Sequence, residues 1–343
     1  WPPKDITVHY ETKIKKVKKS KVVNVVFNPN SDQQVVKKLM ELGWKPTKFT
    51  PTGQASVERK ILDDLPYPEA ALLSRRSIAG DLLAKVEGGK QSWLKSVKDG
   101  RIYGRIKHMG TRTSRNTHSA PNLANIPKPG KPFGEECRDL FTARQGWVMV
   151  GADASGVDLR SLAHYLKDER FTKALLEGDI HTELAKAWGV DRTLGKTLTY
   201  AMLYGAQDPK LGGYLGGGKR EGAAARSRLM SHFPALQSLM KWVRTQKSFV
   251  GLDGRPVPNP SKHAALNTLC QTTSAIIIKV ATNLAVRYAK DLGLVEDVDW
   301  ALVGHIHDEF QAECKPTYAK DLGECFRRAI IDAGKHLNMN IPL

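Results

Sequence analysis

Two short acidic segments and one helical stripe hold the side chains best suited to chemistry. Asp153 follows the apolar run Val148-Met149-Val150 and sits inside GADASGVDLR, the segment 151–160. A carboxylate at a strand end, followed by Ala154, Ser155 and Gly156, leaves the backbone open to a bulky ligand. Asp and Ser ahead of a helix also serve as caps, and this segment alone does not choose between the two readings. The second acidic group, His307-Asp308-Glu309, interrupts an alternating apolar segment from Leu302 to Gln311. Acidic turns are common on surfaces. Paired with a second strand-end Asp in a basic chain, this one points to divalent cations. Carboxylates from separate strands hold two such ions about 3.5–4 Å apart, where they activate an attacking oxygen and stabilise a leaving one. Magnesium suits hard oxygen ligands and keeps phosphate oxygens in its shell.

The stripe is Arg192, Lys196, Tyr200 and Tyr204, which recur at a spacing of four and so share one helix face. Two cations followed by two rings match a nucleoside triphosphate laid along a helix, with charge for the phosphates and ring for sugar and base. The competing account is a solvated basic stripe beside a core tyrosine. His181, in Gly178-Asp179-Ile180-His181-Thr182, would add a phosphate donor, although a lone His more often has a structural role.

These residues need elements to hold them. Val148-Met149-Val150 reads as a buried strand ending at Asp153, with a helix from about Val157 to Leu166. A second helix runs from about Asp191 to Tyr204 and stops at Gly205, a third from Lys262 to Lys290, and a last from Ala319 to Ala333. Trp300 to Gln311 alternates as strand, turn, strand. Nearer the start, Val35, Val36, Leu39 and Leu42 pattern a helix from Asp32 to Leu42, capped by Ser31 and stopped at Gly43. Helical patterning resumes from Ser56 to about Gly88 with a break at Pro66 and Pro68. Gly100 to Gly110 reads as strand and turn, and Pro121 to Pro132 as a loop.

The chain has 343 residues and a formal net charge of +18, from 53 Lys plus Arg against 35 Asp plus Glu. Such a balance favours a polyanion, through phosphate neutralisation and counterion release. A membrane surface is the rival polyanion, but Lys279 cuts the apolar stretch Ala275-Ile276-Ile277-Ile278, so no bilayer-spanning segment is expected. Cys137, Cys270, Cys314 and Cys325 lie far apart, which fits apolar fillers in a reducing cytoplasm better than zinc or disulfides. A lysine cluster at positions 13, 15, 16, 18, 19 and 21 is either a solvated face or a contact to DNA or protein. The chain opens on Trp1 rather than Met and is read as part of a longer product.

Taken together, these segments resemble family A DNA polymerases, in particular the replicative enzymes of short-tailed phages. GADASGVDLR is similar to the family's first carboxylate motif. RTLGKTLTYAMLYG, from Arg192 to Gly205, resembles its nucleotide-binding fingers helix, and His307-Asp308-Glu309 its second carboxylate motif, all in the family's order. Thr113-Ser114-Arg115 with PNLANIP from Pro121 to Pro127 resembles the thumb-to-palm segment. Gly251 to Arg255 and HAALNTLCQ from His263 to Gln271 resemble segments that touch primer and template. Phe27 to Ser31 is similar to the start of the thumb, so the likeness covers nearly everything after residue 22.

The resemblance implies an α+β right-hand polymerase fold with an antiparallel palm sheet, helical fingers and a helical thumb. The expected division is a basic segment 1–22, thumb and thumb–palm connection 23–125, palm 126–170, fingers 171–250 and palm 251–343. It implies a DNA-directed DNA polymerase working by two-metal nucleotidyl transfer on primer–template DNA and deoxynucleoside triphosphates. Asp153 and Asp308, with the carbonyl of Ala154, would hold two magnesium ions, and Glu309 would lie close by. His181, Arg192, Lys196, Tyr200 and Asp158 would bind the nucleotide. Arg115, Asn122, Tyr204, Arg255, Asn267, Gln271 and His307 would meet DNA, largely on the minor-groove side. Asp158 stands where the family has Glu beneath the sugar, so a looser barrier to ribonucleotides is expected. Tyr200 stands where the family has Phe or Tyr, and its hydroxyl predicts ready use of dideoxynucleotides. No exonuclease motifs precede the thumb, so an exonuclease domain or separate proofreading chain, and a processivity factor, are possible partners. A metal-dependent nuclease would also use paired carboxylates and a basic groove, but it has no job for the fingers stripe. A non-catalytic nucleic-acid binder would not need both acids and both cations. The expected location is the cytoplasm, that of the host if the chain is phage-encoded.

Overall fold

The computed structural model describes residues 26–50, 52–259 and 261–343, so the lysine cluster at 13–21 lies outside the described residues. The chain forms two compact units that divide between Tyr103 and Gly104.

In the first unit, α1 (Asp32–Glu41) starts where Ser31 accepts a hydrogen bond from the Gln34 amide. It ends at Gly43, whose φ of +98° turns the chain away at no Cβ cost. Its buried stripe, Val35 and Leu39, packs with Trp44, Leu62, Ala70 and Leu73. The patterning over 56–88 resolves into α2 (Arg59–Asp63) and α3 (Pro68–Leu83), the latter running into a π-turn at Ala84–Gly88. Pro68 occupies the first helical turn, where its missing N–H costs nothing, so it starts α3 rather than breaking a helix. The strands β1 (Val97–Lys98) and β2 (Arg101–Ile102) form a small hairpin.

The second unit opens with β3 (Arg105–Lys107) paired to β4 (Thr117–Ser119), followed by α4 (Gly134–Asp139). Its central sheet is antiparallel, in the order β5 (Val148–Asp153), β9 (Glu309–Cys314), β8 (Trp300–Ile306). Between β5 and β8 the chain runs through α5 (Val157–Leu166), α6 (Glu169–Leu176), α7 (Ile180–Trp188), α8 (Arg192–Leu203), α9 (Asp208–Tyr214), α10 (Lys219–His232) and α11 (Pro234–Thr245). A short hairpin, β6 (Ser248–Val250) and β7 (Pro256–Pro258), then leads into α12 (Ala265–Asp291), and α13 (Ala319–His336) follows the sheet. The long helix begins at Ala265 rather than Lys262, because Ser261 accepts from the Ala264 amide in a turn ahead of it.

Two apolar clusters fill this unit. One gathers Trp300, Phe310 and Ala312 of the sheet against Ile276, Ile277 and Ile278 of α12 and Phe326 of α13. Phe310 and Phe326 meet edge to face at 4.9 Å, and burying each such ring stabilises the fold by roughly 1.5–3 kcal/mol. The other cluster joins α5 to α11 around Trp188, Phe171 and Phe233. Helix α12 touches both, which explains why so much of its length is buried. By length and composition it would suffice to cross a membrane, contrary to the reading that Lys279 rules this out, yet 61% of its most apolar window is buried inside the protein.

Candidate active site

Sheet pairing brings the two acidic segments together. Strand β5 runs antiparallel to β9 in a register that sets Asp153 opposite Glu309, and the Ala154 amide donates to the Asp308 carbonyl at 3.0 Å. Asp308 lies in the two-residue turn between β8 and β9, where His307 has a φ of +53°. Such a φ is uncommon for a residue with a Cβ, so the tip is held by its surroundings. The helix-cap reading of the first segment fails. The N-cap of α5 is Gly156, with φ +62°, and no side chain caps that helix. Asp153 is thus free for a ligand.

The electrostatics fit a cation. Desolvation first, then the charges of Asp308 and Glu309, raise the Asp153 pKa above the usual carboxylate value. Carboxylates facing one another repel, and a divalent ion between them removes that repulsion. Among the described residues no three His, Cys, Asp or Glu side chains form a closed metal nest. Two Asp carboxylates and the Ala154 carbonyl, which also accepts from the Val157 amide at 3.1 Å, are hard oxygen donors of the kind magnesium takes. Glu309 is drawn aside to Gln311, whose amide nitrogen donates to it.

Helix α8 reaches this region at its C-terminal end, where the Tyr204 hydroxyl donates to Asp158 of α5. Burial, then the charges of Asp158 and Asp308, raise the Tyr200 pKa. The Tyr200 ring lies 6.1 Å from Tyr204 and 6.2 Å from His181, so ladder and histidine share one surface. Arg192 is not an isolated cation. Its Nε donates to Asp179 at 2.6 Å, and Asp179 also caps α7 by accepting from the amides of His181 and Thr182. Those bonds hold the Asp179 carboxyl well below its ordinary range. Burial, then Lys196 and Arg192, lower the His181 pKa, and its Nδ1 is buried without a protein partner. Gly195 lets α8 lie this close to α7: a Cβ there would stand 2.6 Å from Ala185 Cα.

Asp158, the residue expected beneath the sugar, is clamped by three donors. Ser274 donates at 2.7 Å and Arg115 at 3.0 Å to Oδ1, while the Tyr204 hydroxyl donates to Oδ2 at 3.1 Å. Ser274 was not among the expected residues, although a signal existed. Asn267, Gln271 and Ser274 stand at i, i+4 and i+7 on α12, so they share a face. On that face Thr113 donates to Gln271 at 3.3 Å, and Asn267 Oδ1 is buried without a partner.

The remaining expected residues are engaged locally. Arg255 pairs with Asp253 and donates to Ser114 at 3.1 Å. Asn122 caps a short 3-10 turn by accepting from the Ala124 amide at 3.1 Å. The His307 ring packs edge-on to His118 at 6.4 Å.

Residues 4–343 match the family model described as DNA polymerase family A. The chain belongs to this family. It is 36% identical to the DNA-directed DNA polymerase of Enterobacteria phage T3, a match covering 94% of this chain and 51% of that protein. Identity to the DNA-directed DNA polymerase of Escherichia phage T7 is 35%, with the same coverage. The chain therefore spans about half the length of these two relatives. The thermostable DNA polymerase I of Thermus aquaticus is 29% identical over 84% of this chain and 37% of its own length. Among solved structures, the POL domain of Pol1 from M. smegmatis, in complex with DNA primer-template and dNTP, superposes with a TM-score of 0.82. That match is 24% identical and covers 93% of this chain and 60% of that one. The α+β right-hand architecture of this family A chain, with its antiparallel sheet bearing the acids, is thereby shown.

Proposed function

We propose that the chain is the nucleotide-adding part of a DNA-directed DNA polymerase, extending a primer on a template with deoxynucleoside triphosphates. One observation carries the reading: the strand-end Asp153 and the hairpin Asp308 adjoin on one sheet, and the cationic and aromatic face of α8 is tied through Tyr204 to Asp158 in the helix that follows Asp153. A nuclease would use the acids, but it has no use for that helix face.

Asp153, Asp308 and the Ala154 carbonyl would hold two magnesium ions. Bound there, such ions neutralise phosphate charge and make the primer 3′-hydroxyl easier to deprotonate. The primer 3′-oxygen attacks the α-phosphorus as the bond to the bridging oxygen of the β-phosphate breaks, and pyrophosphate leaves. Lys196, Arg192 and His181 would bind the triphosphate. Arg192 would exchange Asp179 for phosphate oxygens beside the His181 ring. Tyr200 and Asp158 would bound the sugar, and Tyr204 would stand at the templating position. Arg115, Arg255, Asn267, Gln271 and His307 would contact primer and template, with Asn122 shaping the loop beside them. Most of the acceleration would come from positioning and charge stabilisation.

In this reading 23–125 supply the thumb and its connection to the palm, 126–170 and 251–343 the palm, and 171–250 the fingers. Proofreading by an exonuclease domain or a separate chain, and a processivity factor, would complete a replicative assembly. It would act in whichever compartment holds the DNA, the host cytoplasm for a phage product.

The decisive experiment is extension of a labelled primer–template with deoxynucleotides and magnesium. Template-directed extension that is lost in Asp153→Asn and in Asp308→Asn supports the reading. DNA binding without extension refutes it, and primer shortening would favour a nuclease.

A further inference from the structure

Behind the hairpin tip lies a buried polar cluster that nucleotidyl transfer does not call upon. Asn116 is 4% exposed and His305 8%. Asn116 Nδ2 stands 2.8 Å from His305 Nδ1, and Lys279 Nζ donates to Asn116 Oδ1 at 2.9 Å. The three residues come from the segment leading into β4, from β8 and from α12.

The chemistry of the pair fixes every proton. Lysine only donates, so the amide oxygen of Asn116 faces Lys279 and its nitrogen faces the imidazole. An amide nitrogen also only donates, so His305 Nδ1 must accept. The ring is therefore neutral, with its proton on Nε2. The charged and titratable neighbours are Lys279 of α12, His118 of β4 and His108 beyond β3. Burial first, then these three charges, with one backbone hydrogen bond opposing, push His305 down to about 4.

The location gives the cluster its importance. Arg115, adjacent to Asn116, donates to Asp158, and His118 packs against His307. His305 precedes Asp308 by three positions on the strand that feeds the tip, and Lys279 lies two turns along α12 from Gln271. The segments bearing Arg115, Gln271 and the Asp308 carboxylate thus converge on one side-chain amide. An amide offers both a donor and an acceptor, which a bridge between an ammonium and a neutral imidazole requires.

We propose that Asn116 is a positioning residue: bridging Lys279 to His305, it locks the ring as the neutral Nε2–H tautomer and fixes the carboxylate-bearing tip against α12. Its kinetic consequence rests on the polymerase reading. Its tautomeric consequence rests on the geometry alone.

Nitrogen-correlated NMR of histidine-labelled protein, with His305 assigned from a His305→Gln variant, reads the tautomer directly. The native ring should show an unprotonated Nδ1 and a protonated Nε2 between about pH 6 and 8. A native Nδ1–H form or an imidazolium there overturns the proposal. In Asn116→Asp the carboxylate accepts from both neighbours, so His305 should switch to Nδ1–H or become charged; an unchanged ring overturns it. In single-turnover primer extension, Asn116→Ala, which removes both buried hydrogen bonds of the amide, should slow the step at saturating nucleotide roughly tenfold or more. Nucleotide half-saturation should stay within about threefold, and Asn116→Asp should recover much of the rate. A native rate in Asn116→Ala, or equal losses in both variants, overturns the positioning role. If Asn116→Ala does not fold, the native spectrum and Asn116→Asp still decide. Failure of the native protein to extend any primer would instead sink the polymerase reading and leave the tautomer measurement standing.

Discussion

The Tyr204 hydroxyl donates to Asp158 Oδ2 at 3.1 Å, tying the end of α8 to the helix that follows the strand-end carboxylate Asp153. Tyr204 as a whole is 51% exposed, whereas Ser274, which holds the other carboxylate oxygen, is 2% exposed. A motion of α8 would therefore release Tyr204 while Ser274 keeps Asp158 in place. Closure of a helix over a bound nucleotide is the kind of step such a bond gates.

Removing that hydroxyl has a pH signature. Burial, then Asp158, push the Tyr204 pKa up to about 12. The folded state thus keeps its phenol proton to higher pH than the unfolded chain, and stability drains away as pH rises from about 10 towards 12. Tyr204→Phe should lose less stability over that window, by under about 1 kcal/mol since the group is half exposed. Urea midpoints at pH 9 and pH 11 measure it. Equal alkaline losses in both proteins would count against the bond.

The acidic pair should be visible without any primer. The raised Asp153 pKa means the folded protein binds a proton more readily than the unfolded chain, so stability falls as pH rises above 3.8 through the raised value. Asp153→Asn should therefore raise the thermal midpoint near neutral pH when magnesium is chelated. Added magnesium should stabilise the native protein by mass action and leave Asp153→Asn or Asp308→Asn nearly unmoved. In turnover each substitution should cost roughly 10²–10³-fold or more, as losses of transition-state charge stabilisation do.

Packing beneath the stripe is equally testable. Gly195→Ala places a methyl 2.6 Å from Ala185 Cα, with backbone as the obstacle. Overpacking of this kind costs about 1–3 kcal/mol. The midpoint of chemical unfolding should drop accordingly, and nucleotide half-saturation should rise as Lys196 shifts. A substitution tolerated at no cost would show that α7 and α8 lie further apart.

Sugar selection should follow from Asp158 and Tyr200. Held by Ser274 and Arg115, the shorter Asp158 leaves room that a glutamate would fill, so Asp158→Glu should reject ribonucleotides more strongly, by roughly tenfold, a methylene's worth of discrimination. Competing incorporation of the two sugars reads the ratio, and equal rejection by both proteins would remove the idea. Tyr200→Phe should discriminate against dideoxynucleotides more than the native protein does; an unchanged preference would deny the hydroxyl that role.

Local pattern sufficed for the elements that carry the site. The helix Val157–Leu166 and the strand pair around His307 could be read because their burial is periodic, and periodicity is written in the order of residues. The stripe from Arg192 to Tyr204 was legible for the same reason, and the motifs that follow from it led to the family. What lay between was harder: α9, α10 and α11 have no motif, and α10 has little apolar stripe to mark it.

Tertiary structure alone decided which partners those side chains have. The spacing of Asp153 and Asp308 could not reveal that Asp153 faces Glu309 across the sheet, because strand register is set by pairing rather than by sequence distance. Nothing along the chain says that Arg192 lends its charge to Asp179, or that Ser274 holds Asp158 from 116 positions away. Asn116, His305 and Lys279 are unremarkable where they stand in sequence. They form one buried bridge because a polar group taken from water must find its partner among whatever the fold brings near.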